Sequence, residues 1–379
     1  MVIFMTLLIS LFKIHLQVIY FFIKRFTKID NKKILFLSRQ GDKMSIDFEL
    51  LRDDINKRYP EYRLVILTKQ LNKKNFILYY FHLYKQMYNI ATSKVVLADD
   101  YIIPISILKH KKETIIIEIC HGISNIKKFG YQTLKKESGK GEKMAKLMKM
   151  HRGYNYLIST SEETSKFYSK AFDMPMSKIV NIGNPKIDYI LGIDKYKSKV
   201  LKKYPHLKDK PVILYVSTFR TYDDDYLEEF VKYAPTDKFN VIIHIHPVAY
   251  FYHPNIDEKI KNDKIYRCKD VSTQELLSVA DYCITDYSSF IFESAILEKP
   301  TYLYIYDYKK YIEKNGLNVD LKKELGEYAF PSAKKLFESI SKGKYDYKTI
   351  KNFKEKYVKN CDGNATKNMT DFLIEQCNK

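Results

Sequence analysis

The feature that most constrains this chain is a repeated alternation of short β-branched runs with helix-like stretches. In the first half the runs are Lys33–Ser38, Arg63–Thr68, Lys94–Ala98, Thr114–Cys120, Tyr156–Thr160 and Ile179–Ile182. They resume at Val212–Ser217, Val241–His246, Lys264–Cys268, Tyr282–Thr285 and Thr301–Tyr306, after a break around Lys197–Lys210 punctuated by Pro205 and Pro211. Strands that alternate with helices must cross over between parallel neighbours, so the pattern predicts parallel sheets. Near-continuous apolar runs such as Ile115-Ile116-Ile117 suit strands covered on both faces. The expected α/β architecture is a helical segment over 1–30, a doubly wound domain over 31–196 and a second over 197–379. Ligands in such folds bind at the carboxyl ends of strands. Two C-terminal helices, Thr349–Tyr357 and Ala365–Glu375, have no following strand; they cap the second domain or cross back to the first.

Composition narrows the partners. Sixty-five Lys and Arg against 45 Asp and Glu leave a net charge of +20, which calls for an anionic partner: nucleic acid, an anionic membrane or a phosphorylated substrate. A bias toward Lys, Ile, Asn and Tyr, with 33 Tyr and no Trp, accounts for part of that excess. The five cysteines form no C-x-x-C pair and lack histidines at metal-ligand spacing, so reduced thiols in a cytosolic setting and no metal are expected. There is neither a G-x-G-x-x-G after the first strand nor a G-x-x-x-x-G-K-[ST], which removes the main support for dehydrogenase and P-loop readings. No cofactor is expected.

Residues Val2 to Ile23 are almost wholly apolar and precede Lys24, Arg25 and Lys28. Thr6, Ser10, Lys13, Gln17, Tyr20 and Lys24 recur at spacings of four and three, a narrow polar stripe on one helix face. An amphipathic helix lying in a membrane interface fits this better than a spanning one, which would place Lys13 near mid-bilayer. The other reading packs the helix on its own domain with the stripe in water. The segment Gly139–Arg152, with Lys140, Lys143, Lys146 and Lys149 stepping by three, is either a second membrane contact or a solvated face.

Four strand ends carry unusual chemistry. Thr114–Gly122 ends in Cys120-His121-Gly122 with Lys127 and Lys128 following, and a histidine at a strand's carboxyl edge is placed to act as a general base. Val241–Pro247 puts His244 and His246 on one strand face. Around Thr285-Asp286-Tyr287-Ser288-Ser289 a strand passes into a helix whose hydroxyl-bearing N-terminus suits phosphate, with Glu293 about one turn further in, where a ribose would lie. Ser217-Thr218-Phe219-Arg220 joins a hydroxyl pair to a guanidinium, again suited to phosphate. Asp223-Asp224-Asp225 opens a helix and reads as first-turn acids rather than a metal site.

At these residues the chain resembles the CDP-glycerol glycerophosphotransferase family, the teichoic acid primases and polymerases of Gram-positive bacteria. The matching blocks are His121-Gly122 with Lys127-Lys128-Phe129-Gly130, Ser159-Thr160-Ser161-Glu162, Gly183-Asn184-Pro185-Lys186-Ile187-Asp188, Ser217-Thr218-Phe219-Arg220, His246-Pro247, and Ile284-Thr285-Asp286-Tyr287-Ser288-Ser289 with Phe292-Glu293. Lys299-Pro300 and Asp362-Gly363-Asn364-Ala365 complete the set. The resemblance implies a GT-B fold of two Rossmann-like domains facing a cleft, acceptor side first and CDP-donor side second. By the same resemblance His121 is the general base and His246 a second essential histidine facing the donor phosphates. Thr285, Ser288 and Ser289 hold the pyrophosphate beside Asp286, Glu293 the cytidine ribose, and Arg220 and Lys128 supply charge alongside Ser217 and Thr218. The implied reaction moves glycerol phosphate from CDP-glycerol to a hydroxyl of an undecaprenyl-linked glycan acceptor, primase-like, at the cytoplasmic face of the membrane. A CDP-ribitol transferase or polymerase of the same family, a sugar-nucleotide glycosyltransferase of the same fold, a basic nucleic-acid-binding protein and a non-catalytic membrane scaffold are the rival readings. No nucleic-acid module is recognisable, so no nucleic-acid partner is expected.

Overall fold

In the computed structural model, which describes residues 2–71, 76–120, 122–134, 136, 141–222 and 226–379, the strands form two six-stranded sheets. The first comprises β1 (Asp30–Ser38), β2 (Arg63–Thr68), β3 (Ser93–Ala98), β4 (Ile115–Glu118), β5 (Tyr156–Ser159) and β6 (Ile179–Asn181) in the order β2-β1-β3-β4-β5-β6. The second comprises β7 (Val212–Ser217), β8 (Asn240–Ile245), β9 (Ile265–Tyr266), β10 (Tyr282–Thr285), β11 (Thr301–Tyr304) and β12 (Ala329–Phe330) in the order β12-β11-β10-β7-β8-β9. All paired strands run parallel. Central strands β3 and β7 are buried along their whole length, as their unbroken apolar runs require. In the second sheet the chain winds outward through β8 and β9, then returns to the other side of β7 as β10, so β7 and β10 flank the point where strand order reverses. Only β12, two residues long, escaped the sequence reading.

The chain divides into two compact units: Met1–Ile123, Lys128–Asp188 and Asp362–Lys379 form the first, Ser124–Lys127 and Tyr189–Cys361 the second. This differs from the expected boundary after residue 196 and from the expected single C-terminal domain over 197–379. Among the helices, α1 (Val2–Phe26), α2 (Ile46–Arg58), α3 (Phe76–Thr92), α4 (Phe290–Ile296) and α5 (Ala365–Asn378) matter below. Helix α5 returns to the first unit because its apolar face, Met369, Leu373 and Cys377, joins the core under Phe48, Leu51 and Ile55 of α2. The Asp188 carboxylate accepts from the backbone N–H groups of Ala365 (3.1 Å) and Thr366 (2.7 Å), capping α5. Two of the resemblance blocks, ending at Asp188 and beginning at Asp362, are thus one structural clasp.

Helix α1 lies on its domain in the opposite sense from the alternative reading that put its polar stripe in water. Its polar stripe faces the protein: Lys13 donates to the Leu147 carbonyl (3.3 Å), Gln17 to Ile107 (3.1 Å) and Lys24 to Lys109, while Tyr20 pairs with His110 (2.8 Å). The apolar arc faces outward, with Leu7, Leu11, Val18 and Phe21 about half exposed and Phe26 at 80%. Neighbouring α3 continues this surface through Phe76, Ile77, Phe81 and Tyr88, and His15 of α1 is held by Tyr80 and Tyr84 of α3.

Candidate functional site

The reversal between β7 and β10 is where a parallel sheet leaves a crevice outside its carboxyl ends. Here β7 runs on through Thr218-Phe219-Arg220 and β10 through Asp286-Tyr287-Ser288-Ser289. Arg220 is only 3% exposed. Its Nε donates to Asp307 Oδ2 (2.9 Å), Nη1 to the Thr218 carbonyl (2.7 Å), and the same Nη1 lies 3.0 Å from Asp286 Oδ2. Tyr311, Tyr287 and Tyr306 ring the guanidinium at 4.9, 5.2 and 5.3 Å. A buried charge needs this degree of pairing. Arg220 is therefore the keystone that ties the ends of β7 and β10 to Asp307, where sequence reasoning had it facing a phosphate. Asp286 is equally committed, accepting from the backbone N–H groups of Thr218 (3.0 Å) and Tyr287 (2.6 Å).

Thr285 is fully buried and donates to the Val216 carbonyl (2.8 Å), a bond internal to the sheet. Its hydroxyl is directed away from the pyrophosphate role expected of it. Ser217 and Thr218 are buried, and Thr218 Oγ1 has no hydrogen-bond partner among the described residues. Ser288 and Ser289 are half-buried at the start of α4. Ser288 Oγ accepts from the Phe290 N–H (3.3 Å), whereas Ser289 at the N-cap makes no side-chain cap bond. Glu293, one turn inside α4, is buried, and Gln274 Nε2 bonds both of its oxygens (3.2 and 3.0 Å).

His246 follows β8, exposed, with its ring 5.3 Å from that of Phe219. Its Nδ1 accepts from the Val248 N–H (3.2 Å). A neutral imidazole that accepts at Nδ1 carries its proton on Nε2, so the free edge is a donor. Desolvation, then the nearby Lys127 ammonium, holds the pKa below the usual histidine value, with Asp286 opposing. His244 is half-buried and likewise lowered, first by burial and then by Arg267.

Of the two adjacent lysines, Lys128 is exposed and Lys127 half-buried. Lys127 lies over the rings of Phe219 (5.7 Å) and Tyr311 (5.9 Å), so it, and not Lys128, stands beside His246 in the second unit. Sequence spacing could not separate them, because which neighbour turns inward depends on the path of the loop. Asp307, visible only as the end of the strand after Lys299-Pro300, and Asn318 are the partners that make this arrangement, and neither had a role assigned from the sequence. His121, Lys140 and Asp223 to Asp225 lie outside the described residues.

The carboxyl ends of the first sheet hold a second polar group that sequence reasoning missed. Asp99 follows β3, and burial, with the neighbouring Asp100 and Asp47 charges, pushes its carboxyl up to about 7, against hydrogen bonding from Ser38 and Ser45. Glu118 ends β4, fully buried and raised well above its ordinary value chiefly by desolvation; its Oε1 accepts from the Cys120 N–H (3.1 Å). Cys120 itself is in the left-handed region (φ 51°), and that carboxyl holds its backbone N–H there. Among the described residues no group of His, Cys, Asp and Glu is arranged to hold a metal ion.

Two Rossmann-like sheets, the second with a polar crevice at its strand reversal, define a GT-B fold. Residues 19–375 match the family described as CDP-Glycerol:Poly(glycerophosphate) glycerophosphotransferase, and the chain belongs to that family, the teichoic acid phosphotransferases. It is 28% identical over 362 residues to the teichoic acid ribitol-phosphate primase of Bacillus spizizenii, covering 91% of each chain. It is 30% identical over 308 residues to the teichoic acid glycerol-phosphate primase of Bacillus subtilis, covering 80% of this chain and 78% of that one. The solved wall teichoic acid polymerase TagF shares the fold, with a TM-score of 0.70 at 20% identity over 92% of this chain and 90% of that chain.

Proposed function

We propose that this protein transfers glycerol phosphate from CDP-glycerol to a hydroxyl of a lipid-linked glycan, as a primase, releasing CMP. Family membership across residues 19–375 carries this reading. The acceptor oxygen forms a bond to the phosphorus bearing the glycerol, the bond from that phosphorus to the bridging oxygen breaks, and CMP departs with the electron pair. Little covalent chemistry is asked of the protein, which positions groups and stabilises charge on phosphoryl oxygens. His121 takes the acceptor proton as general base. The Nε2–H of His246 donates to donor phosphate oxygens, a role suited to a neutral imidazole with its proton on that edge. Ser288 and Ser289 bind the pyrophosphate and Glu293 the ribose.

Of the two primases compared above, the one covering the larger share of this chain is a ribitol-phosphate primase, and CDP-ribitol is the second reading for the donor. Offering the protein CDP-glycerol, CDP-ribitol and a UDP-sugar with defined lipid-linked acceptors, and weighing the product, separates them. A product heavier by one glycerol phosphate is expected; growth only with CDP-ribitol or with the UDP-sugar overturns the assignment.

The proposed site of action is the cytoplasmic face of the membrane, with the protein held peripherally. The orientation of α1 supports this, since Lys13 and Lys24 are tied inward to carbonyls while its apolar arc faces out. Together with α3 it presents neighbouring exposed apolar side chains, Leu7, Leu11, Val18 and Phe21 beside Phe76, Ile77 and Phe81, the kind of contiguous patch that marks an interaction surface. Arg25, Lys28 and Lys32 flank it, the sign an anionic leaflet attracts.

A further inference from the structure

Lys127 is a cation whose setting the described roles do not explain. It reaches the second unit on the short segment Ser124–Lys127. Asn318 pins that segment: its N–H donates to the Ile126 carbonyl (2.7 Å) and its Nδ2 to the carbonyls of Lys127 (3.0 Å) and Asn125 (3.4 Å). Lys127 also bridges to Leu317. Two backbone clamps on one lysine fix where its side chain begins, and the rings of Phe219 and Tyr311 fix where its ammonium ends.

Among the described residues Lys127 forms no salt bridge, although surface lysines elsewhere on the chain do, such as Lys199 with Glu275 and Lys354 with Glu298. The charged and titratable groups facing it are Asp286 from the end of β10, Arg220 from the end of β7, His246 from the end of β8, and Tyr311. Arg220 is shared between Asp286 and Asp307, whose carboxylates also accept from the Thr218 N–H and the Tyr287 hydroxyl. His246 is held toward its neutral form. Lys127 thus sets an ammonium that no carboxylate among the described residues contacts beside a donor N–H, a combination that recognises phosphoryl oxygens.

We propose that Lys127 is a donor-phosphate residue, its ammonium binding the pyrophosphate oxygens of the nucleotide next to His246, and that Asn318 is the positioning residue that delivers it. The inference rests on the reading of His246 as facing the donor. Desolvation pushes the Lys127 ammonium down to about 8, Arg220 adding to the shift and Asp286 opposing it. The charged form is present below about pH 8 and is lost above it.

Calorimetric titration of the full chain with CDP tests this. Lys127→Met is expected to weaken CDP binding by about tenfold or more, and Lys127→Arg to keep most of the affinity, since one charge-assisted contact is worth that much. Asn318→Ala, which leaves the charge but frees the segment, is expected to fall between them. With pH, wild-type affinity should drop as Lys127 deprotonates around pH 8, while Lys127→Arg, whose guanidinium stays charged, should hold its affinity beyond pH 9. CDP binding by Lys127→Met within about twofold of wild type overturns the proposal. So does an unchanged alkaline fall in Lys127→Arg, which keeps the question decidable if the methionine variant folds poorly. If His246→Ala also binds CDP like wild type, the donor-site reading itself fails; if only Lys127→Met does, that reading stands and the role of Lys127 falls.

Discussion

Asp99 shows how a single buried group links the first sheet to pH. Its folded-state pKa of about 7 lies above the ordinary carboxyl value, so between about pH 4 and 7 the unfolded chain ionises while the folded one resists. Folding is therefore favoured least above pH 7, where the cost reaches a few kcal/mol at most. Asp99→Asn should raise the melting temperature at pH 8 and leave it almost unchanged at pH 4; an equal gain at both would show that the carboxyl is not the cause. Glu293 makes a different kind of prediction. Gln274 holds its carboxylate at the start of α4, so Glu293→Ala should weaken CDP and CMP alike, by about 1–3 kcal/mol for bonds to a charged group. Loss of CDP affinity alone would move Glu293 away from the ribose. Three residues, Thr285, Asp286 and Arg220, were visible in the sequence as polar groups at strand ends, but their partners were not. A hydroxyl that bonds a strand carbonyl and one that bonds a phosphate look the same along the chain.

At the scale of elements, α1 was legible as a helix with a polar stripe, and its orientation was not. Periodicity says which residues share a face, while the direction of that face depends on what the neighbouring surface offers. Here the carbonyls of Ile107, Lys109 and Leu147 draw the stripe inward. Placing charges on the outer arc, Leu11→Glu with Val18→Glu, should release the protein from anionic vesicles and slow transfer to lipid-linked acceptors. Turnover of a short soluble acceptor should persist, because the substituted positions are half exposed and lie outside the core. Unchanged vesicle binding would mean that this arc does not meet lipid. The contribution of α3 had no sequence signal of its own: Phe76–Thr92 carries apolar and aromatic residues on every side, and only packing against α1 and the sheet separates buried Leu83 and Met87 from exposed Phe81 and Tyr88.

For the whole molecule, the course of the last helix sets how the two units depend on the chain. Residues 362–379 belong to the first unit although they follow the second in sequence. Ending the chain at Cys361 should therefore destabilise the first unit by stripping Met369, Leu373 and Cys377 from its core and depriving the Asp188 carboxylate of its two backbone N–H donors. The second unit should keep its protease resistance and its protection by CDP. Selective loss of the second unit would contradict the packing seen here.

What the sequence determined by itself was the class of fold and the places where chemistry sits. Strand and helix periods are local properties, and β-branched runs ending in polar clusters mark carboxyl edges wherever the strands later pair. It also carried the family, because ordered blocks of polar residues survive as text. Only the tertiary structure decided which of those polar groups serve the fold and which remain free. Arg220 is consumed by Asp286 and Asp307, residues 66 and 87 positions away, while Lys127, on a segment that Asn318 clamps from 191 positions off, forms no salt bridge among the described residues. Desolvation and hydrogen-bond geometry depend on neighbours in space, and no local pattern encodes them.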